Sequence, residues 1–142
     1  MKALVLRNKQ RCCCFATRPL RRDTRVLLED QLRLKGYNLS ITFVSPRRMA
    51  NLNWEHLRHE GPTDILTFDY TSDGFLHGEL VICPHVAEQN ARRYRVSLEK
   101  ELRRYIIHGV LHLLGHDDKD PGERRKMKRE ENRLLKCLPD YG

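Results

Sequence analysis

Two histidines four residues apart, His108 and His112, are followed by Gly115 and then by two acidic residues. This feature constrains the fold most, because residues four apart on an α-helix share one face, where two imidazoles can bind one metal ion. Glycine readily adopts the left-handed conformation that ends a helix, so Gly115 predicts a sharp turn back towards the histidines. The segment therefore predicts a metal site made by a helix and the turn after it.

The turn offers two candidates for a third ligand, His116 and Asp118. If the helix continued, His108 and His116 would lie about 12 Å apart along its axis and could not share an ion. The chain must therefore turn at Gly115, after which either candidate can return to the metal. An aspartate makes the site harder and more anionic, so manganese or nickel would compete differently with zinc. Three protein ligands leave one position for a water molecule, whose pKa falls towards about 7 on the metal.

The order of these residues resembles the zinc helix of the metzincin proteases except at two positions. Gly109 stands where those proteases have the general-base glutamate, and Asp118 stands where they have a third histidine. A peptidase would need its base from elsewhere in the chain, which argues against peptide hydrolysis. The spacing also fits two packed or surface histidines without a metal, but the glycine and the acidic residues at the right offset favour a metal site.

The length predicts a single domain over residues 1–142, with a net charge of +8. Residues 1–35 carry ten Lys and Arg against three Asp and Glu, and residues 92–142 carry fourteen against nine. Residues 36–91 carry three against seven. Two basic ends suit a polyanion such as RNA or DNA, although many basic proteins are simply well solvated.

The chain has no apolar run of membrane-spanning length, and the apolar stretch at its start is too short for a signal peptide. We therefore expect a cytoplasmic protein without a membrane partner. An odd number of cysteines without a secretory signal indicates reduced thiols. The run of Cys12, Cys13 and Cys14 lacks C-x-x-C spacing, so we expect packing or loop residues there.

Hydrophobic periodicity predicts four strands and five helices. The predicted strands cover residues 2–7, 39–44, 64–70 and 78–83, with the last two as antiparallel neighbours. The predicted helices cover residues 20–34, 46–56, 84–94, 97–114 and 121–135, with Ser97 and Asp120 at the starts of the last two. We expect an α+β fold, a small mixed sheet of about four strands covered by about five helices, with the metal site on a central helix and the following turn.

Three residues before and at the third strand are further candidates. Arg58 could bind a phosphate through two hydrogen bonds, or be a solvated loop cation. Thr63 and Asp64 could support the metal ligands from behind, or simply cap and start the strand. The sequence leaves these alternatives open.

Two basic runs have alternative interpretations. Residues 92–95, Arg-Arg-Tyr-Arg, could hold RNA with Tyr94 as a stacking partner, or be a solvated helix end. Residues 123–130 are expected to form an exposed helical face, with Met127 towards the core.

Three blocks of the sequence resemble the YbeY family, the bacterial metal-dependent endoribonucleases that mature ribosomal RNA. The family hallmark H-G-x-L-H-x-x-G-(Y/H)-D-H matches residues 108–117 and differs only at Asp118. A block ending P-T-D-V-L-S-F is similar to residues 62–68, and G-(D/E)-I-x-I is similar to residues 78–82. The resemblance covers about residues 39–135.

The resemblance implies one divalent metal ion, with zinc expected, at His108, His112 and Asp118, and a catalytic arginine at Arg58. Since the family often has a histidine at the position of His116 as well, it favours Asp118 as the third ligand. It implies a single-strand-preferring endoribonuclease in ribosomal RNA maturation and ribosome quality control, with RNA and the small ribosomal subunit as partners. The departure at Asp118 keeps one alternative, a non-catalytic ribosome-associated factor with a structural metal.

Overall fold

A four-stranded mixed sheet organises the molecule, for which the computed structural model describes residues 1–57 and 63–138. The strands are β1 (Lys2–Asn8), β2 (Tyr37–Phe43), β3 (Ile65–Asp69) and β4 (Leu76–Ile82). They lie in the order β1-β2-β4-β3, with β1, β2 and β4 parallel and β3 antiparallel to β4. The predicted antiparallel pair is therefore confirmed, and β3 is an edge strand.

The connections explain this mixture of directions. Between β3 and β4 the chain reverses through Asp73 and Gly74, which have φ angles of +51° and +76°. A turn this tight can join only antiparallel neighbours, whereas parallel strands need a long crossover. A helical crossover joins β1 to its parallel neighbour β2.

Five α-helices lie in the part of the chain that the structure describes. They are α1 (Thr17–Arg25), α2 (Pro46–Leu57), α3 (Pro84–Tyr94), α4 (Leu98–Leu113) and α5 (Pro121–Lys136). The predicted α+β class, with about four strands and about five helices, is confirmed. The side chains of Ser97 and Asp120 cap α4 and α5 by accepting hydrogen bonds from the backbone N–H groups of Lys100 and Glu123.

The first helix differs from its prediction. α1 begins three residues earlier than expected and continues as a π-helical segment, Val26–Gln31. At its end the N–H of Leu32 donates to the carbonyl of Leu27, five residues back, at 2.9 Å. Hydrophobic spacing over residues 20–34 fits a helix but does not distinguish a π-helical turn from an α-helical one.

The two faces of the sheet carry separate apolar clusters, because side chains alternate along each strand. On one face Leu39, Ile41 and Leu80 belong to the main core, which also contains residues of α1, α3, α4 and α5. On the other face α2 contributes Met49 and Leu52 to a smaller cluster. The helix α4, which carries His108 and His112, therefore lies on the main-core face.

The cysteines behave as packing and loop residues. All five are free thiols, with Cys12 and Cys14 exposed and Cys13 buried. The thiol of Cys13 donates to the carboxylate of Glu88 at 3.1 Å, and burial together with this contact raises the pKa of Cys13 to about 12. In the described ranges, no helix is both long and apolar enough to cross a bilayer.

Candidate metal centre

The helix α4 ends in a turn that its own sequence specifies. The backbone N–H of Gly115 donates to the carbonyl of His112 at 3.0 Å, and the N–H of His116 donates to the carbonyl of Leu111 at 3.0 Å. This pair of hydrogen bonds is a Schellman motif, which requires a left-handed residue after the helix. Gly115 supplies it with a φ of +99°. The chain therefore reverses at the predicted glycine and returns its acidic residues to the helix.

Three side chains converge at this turn. His108 Nε2 and His112 Nε2 lie 3.1 Å apart. Asp118 Oδ2 lies 3.7 Å from His112 Nε2 and 4.0 Å from His108 Nε2. The histidine side chains are 29% and 28% exposed and that of Asp118 is 47% exposed. The structure thus brings together the three residues predicted as metal ligands, at a site that opens on the surface.

This set of donors fits a divalent ion. Two imidazole nitrogens bound to zinc at about 2.0–2.1 Å in tetrahedral geometry lie about 3.3 Å apart, close to the separation of His108 and His112. Without an ion, this 3.1 Å separation requires a proton on one of the two Nε2 atoms, because two facing lone pairs would repel; a shared cation can take the place of that proton. Two nitrogens and one carboxylate oxygen are ordinary zinc ligands and leave a fourth position for water or substrate. Asp118 is half exposed, so its carboxylate is free to adjust towards the ion.

His116, the other candidate for the third ligand, does not join this group among the residues that the structure describes. Its imidazole is instead close enough to Glu130 to help lower the pKa of that carboxyl, after the larger effect of a hydrogen bond from Arg133. The geometry favours Asp118 over His116, and the ligand role of Asp118 stays a prediction.

A buried carboxylate that the sequence analysis missed holds one of the two histidines. Glu131, on α5, is 5% exposed, and its Oε2 lies 2.6 Å from His108 Nδ1. An ionised carboxylate only accepts hydrogen bonds, so Nδ1 carries the proton and the Nε2 lone pair is free for a metal. Arg104 lies 3.8 Å from Glu131 and 3.8 Å from Glu101, and so links both acids.

The sequence contains a signal for Glu131. Met127, Glu131 and Leu134 are four and then three residues apart, and all three are buried on the inner face of α5. A glutamate in the apolar stripe of an amphipathic helix requires a partner, since an unpaired buried carboxylate is costly. The exposed face that the sequence predicts covers residues 123–130, and so it ends one residue before Glu131.

Opposing effects act on the pKa of His108. Burial disfavours the imidazolium form, but the hydrogen bond and charge of Glu131, with the charges of Asp118 and Asp64, outweigh it. The net result is a pKa raised above its usual value. A proton and a metal ion therefore compete for His108 Nε2.

Gly109, which stands where metzincins have a catalytic glutamate, faces the sheet and not the predicted metal ligands. A Cβ at this position would lie 2.6 Å from a methyl group of Leu80 and 3.2 Å from the Cδ1 of Ile65. Glycine suits the close approach of α4 to β3 and β4, because any Cβ would require the ends of the Leu80 and Ile65 side chains to shift. A side chain at position 109 would start against the core and not beside the proposed ligands, which argues against a general base at this position.

The residues before β3 have different outcomes. Arg58, the predicted catalytic arginine, lies outside the described residues. Asp64 Oδ1 accepts hydrogen bonds from the N–H of Ile65 at 2.7 Å and from the hydroxyl of Thr63 at 3.5 Å, which is the predicted start of a strand. The charge of Asp64 also raises the pKa of His108, so the alternative role beside the metal ligands stays a prediction as well.

The basic run 92–95 lies at the exposed end of α3. Tyr94 is 66% exposed, and Arg92 pairs with Glu88 at 3.0 Å across one turn of the helix. Arg95 has a left-handed φ of +57° and ends the helix. These contacts fit the solvated helix end, and contact with RNA stays a prediction.

Comparison with known proteins shows a family match over most of the chain. The profile of the family described as Endoribonuclease YbeY matches residues 7–139. The chain is 42% identical over 106 residues to Endoribonuclease YbeY of Parabacteroides distasonis, covering 75% of each chain. It is 42% identical over 100 residues to that of Chlorobium luteolum, covering 70% of this chain and 73% of the other. It is 35% identical over 119 residues to that of Chlorobium phaeovibrioides, covering 84% and 80%.

A solved structure supports the fold independently. The solution structure of TM1509 from Thermotoga maritima superimposes with a TM-score of 0.68 over 94% of this chain and 87% of the other, at 23% identity. At this identity the likeness concerns the fold alone. Since the family profile spans most of the sequence and the relatives match over most of their length, the chain belongs to the YbeY family.

Proposed function

We propose that residues 1–142 form a single metal-dependent endoribonuclease domain that cleaves single-stranded segments of ribosomal RNA precursors. The observation that supports this most is the convergence of His108, His112 and Asp118 at the end of α4. The relatives that match this chain are named endoribonucleases. An exposed site with three donors suits hydrolysis better than a closed structural site, which would have four protein ligands.

The proposed ligands are His108, His112 and Asp118, and the proposed metal is zinc. When bound, such an ion polarises a phosphate oxygen and favours the loss of a proton from water near neutral pH. Glu131 keeps His108 in the tautomer that offers Nε2, and the turn at Gly115 keeps Asp118 beside the histidines. Two nitrogens and one oxygen also suit manganese or nickel, so metal analysis of the purified protein decides between them.

Arg58 is the proposed catalytic residue outside the metal ligands. Hydrolysis of a phosphodiester adds negative charge to the phosphate oxygens in the transition state, which a guanidinium stabilises through two hydrogen bonds. The breaking P–O bond releases an RNA hydroxyl, and either water or the RNA 2′-hydroxyl is the nucleophile. Cleavage products with a cyclic phosphate end would identify the 2′-hydroxyl.

The proposed partners are a ribosomal RNA precursor and the small ribosomal subunit, and the proposed location is the cytoplasm. The basic ends of the chain support an RNA partner, since they carry most of the positive charge. We also propose a role in ribosome quality control, which the family resemblance implies. Sedimentation of the tagged protein with ribosomal subunits in a sucrose gradient tests the subunit contact.

The activity is tested with labelled single-stranded RNA and the variants His108→Ala and Asp118→Ala. We expect each variant to lose cleavage by about a hundredfold or more, because each lacks one proposed ligand. His116→Ala is the matched control, since it removes a neighbouring imidazole outside the group of donors. Undiminished cleavage by both ligand variants would indicate a contaminating nuclease and refute the proposal.

A second candidate is a non-catalytic ribosome-associated factor with a structural metal, which the departure at Asp118 keeps in consideration. It predicts that a chelator unfolds the protein, because binding energy at a structural site is folding energy. The endoribonuclease proposal predicts that chelation abolishes cleavage and lowers the melting temperature only slightly. Circular dichroism melts with and without chelator, beside the cleavage assay, separate the two.

A further inference from the structure

The face of the sheet opposite α4 carries an open groove of about 750 Å³. Its floor includes Glu79 and Val81 of β4. The alternate residues Gly78 and Leu80 face α4 instead, against Leu113 and Gly109. The helix α2 forms one wall. The groove is therefore a surface separate from the metal centre, and the function proposed above does not use it.

Three exposed cations line this groove: Arg7 and Lys9 at the end of β1, and Arg48 on α2. Arg7 contacts the hydroxyl of Ser40 at 3.4 Å. In the described ranges, none of the three cations is in an ion pair with a carboxylate. Among the described residues that line the groove, Glu79 alone is acidic. Three cations against one carboxylate favour an anionic ligand.

Aromatic rings lie beside these cations. Phe68 of β3 packs against His56 of α2 with ring centroids 5.1 Å apart. Tyr70, at the end of β3, is 56% exposed, with its ring centroid 5.5 Å from that of His77. Cations that track a phosphate backbone, combined with exposed rings on which bases stack, are typical of surfaces that bind single-stranded nucleic acid. The carboxylate of Glu79 suits a base edge with an amino group, because it accepts hydrogen bonds.

We propose that this groove binds a single-stranded segment of RNA, with its phosphates on Arg7, Lys9 and Arg48 and an unpaired base on Tyr70. A double helix fits less well, since its bases are paired and cannot stack on a ring. An acidic peptide would satisfy the cations but would not use the ring of Tyr70. The inference rests on the proposed function, because it gives the RNA of that reaction a second contact.

The edge strand β3 connects the two surfaces. Phe68 faces the groove, whereas Ile65 on the same strand lies beside Gly109 of the metal helix. RNA that crosses the edge formed by β3 therefore reaches from the groove to the face that carries the metal ligands. The groove holds the strand beyond the cleavage point, which favours substrates longer than a few nucleotides.

The test is fluorescence anisotropy with a labelled single-stranded RNA of about twelve nucleotides, within the range that such grooves cover. Each titration ends with a gel that confirms intact RNA. The variant Arg7→Ala/Arg48→Ala should raise Kd about tenfold and reduce the slope of log Kd against log salt by about 1.4, or about 0.7 per phosphate contact. The matched control Arg18→Ala/Arg25→Ala removes two exposed arginines of the same basic end, on α1 and outside the groove, and should change Kd less than about twofold if the groove and not the overall charge of this end binds the RNA.

A second pair of variants tests the stacking. Tyr70→Ala should raise Kd about tenfold, and Tyr70→Phe should not, because the ring and not the hydroxyl makes the contact. Tyr94→Ala removes the other exposed tyrosine that the sequence offers as a stacking partner, and a loss in this variant without one in Tyr70→Ala would place the stacking at residues 92–95 and overturn the proposal. Equal losses with both arginine variants, or no loss with either, would overturn the proposal. A labelled oligoglutamate peptide tests for an acidic protein partner. If Arg7→Ala/Arg48→Ala lost binding to this peptide but kept its RNA affinity, a protein partner would be indicated and the proposal would be overturned.

Cleavage assays separate this inference from the proposed function. The groove variants should cleave a substrate of about four nucleotides at the wild-type rate but show a raised KM for the longer RNA. Suppose that the wild-type protein binds RNA, that the groove variants bind it more weakly as expected, and that none of these proteins cleaves it. The groove would then stand and the proposed activity would fail. If the wild-type protein cleaved RNA and the groove variants showed normal Kd and KM, the groove would fail and the activity would stand.

Discussion

His108 Nδ1 lies 2.6 Å from the buried carboxylate of Glu131, and this contact joins the metal helix α4 to the last helix α5. The carboxylate fixes both the tautomer and the orientation of the imidazole, because it accepts the only proton that a neutral imidazole carries. Glu131 itself lies 3.8 Å from Arg104 of α4. Packing between α4 and α5 therefore determines how one of the proposed metal ligands is presented.

Replacing Glu131 should weaken metal binding without removing a ligand. We expect Glu131→Gln to raise the metal Kd about tenfold and Glu131→Ala about a hundredfold, the range found when a carboxylate behind a ligand histidine is lost. Competition with a chromophoric chelator measures the affinity, and a thermal melt confirms folding. Glu130→Gln is the matched control, since Glu130 pairs with Arg133 on the outer side of α5. Wild-type affinity in Glu131→Gln would show that the carboxylate charge has no part in metal binding.

Asp118 should be necessary for the protein to bind one metal ion per chain, whereas its neighbours His116 and Asp117 should not. Its Oδ2 lies within 4.0 Å of both histidines. Asp117 instead accepts a hydrogen bond from the N–H of Lys119 at 2.8 Å, as part of the turn. We expect Asp118→Ala to lose bound metal on dialysis, and Asp118→His, Asp117→Ala and His116→Ala to keep it. Metal analysis after dialysis provides the measurement. Full metal content in Asp118→Ala, with loss in His116→Ala, would make His116 the third ligand.

As the pH is lowered, metal affinity should begin to fall at a higher pH than it would if His108 had the usual pKa of a histidine. The raised pKa of His108 means that its Nε2 takes up a proton earlier as the pH drops, and a proton there excludes the metal. Below this pKa the apparent affinity should decrease about tenfold per pH unit for this one proton. In Glu131→Gln the carboxylate charge is gone, so the decrease should begin at a lower pH. Calorimetric titrations over a pH series check both, and an onset that does not move would contradict the role of Glu131.

The sequence predicted the turn after α4 and the helix starts well because their determinants are local. The spacing of the histidines, the glycine after the helix and the caps Ser97 and Asp120 each act on groups within a few residues along the chain, and each was found where predicted. Glu131 on α5 contacts His108 on α4, and the two residues are 23 positions apart in the sequence, which no local pattern links. The groove escaped prediction for the same reason, since Arg7, Arg48 and Tyr70 come from distant parts of the chain.

Variants at Gly109 test whether close packing against the sheet disfavours any side chain at the position where metzincin proteases have their general-base glutamate. A Cβ there would lie 2.6 Å from a Leu80 methyl group, so Gly109→Ala should overpack the contact between helix and sheet. Such overpacking costs about 1–3 kcal/mol. The better helix propensity of alanine returns about 1 kcal/mol. We therefore expect a net loss of up to about 2 kcal/mol in the free energy of unfolding, measured by urea denaturation.

Shortening Leu80 should relieve the same contact. Leu80→Val alone should lower the free energy of unfolding by about 1 kcal/mol. The double variant Gly109→Ala/Leu80→Val should lose at least about 0.5 kcal/mol less than the two single variants added together. Gly109→Glu should gain no peptidase activity, because its side chain starts against Leu80 and Ile65 and not beside the metal ligands. Additive losses would show that Leu80 does not limit position 109. Peptide cleavage by Gly109→Glu that a chelator abolishes would show that a glutamate here reaches the metal after all.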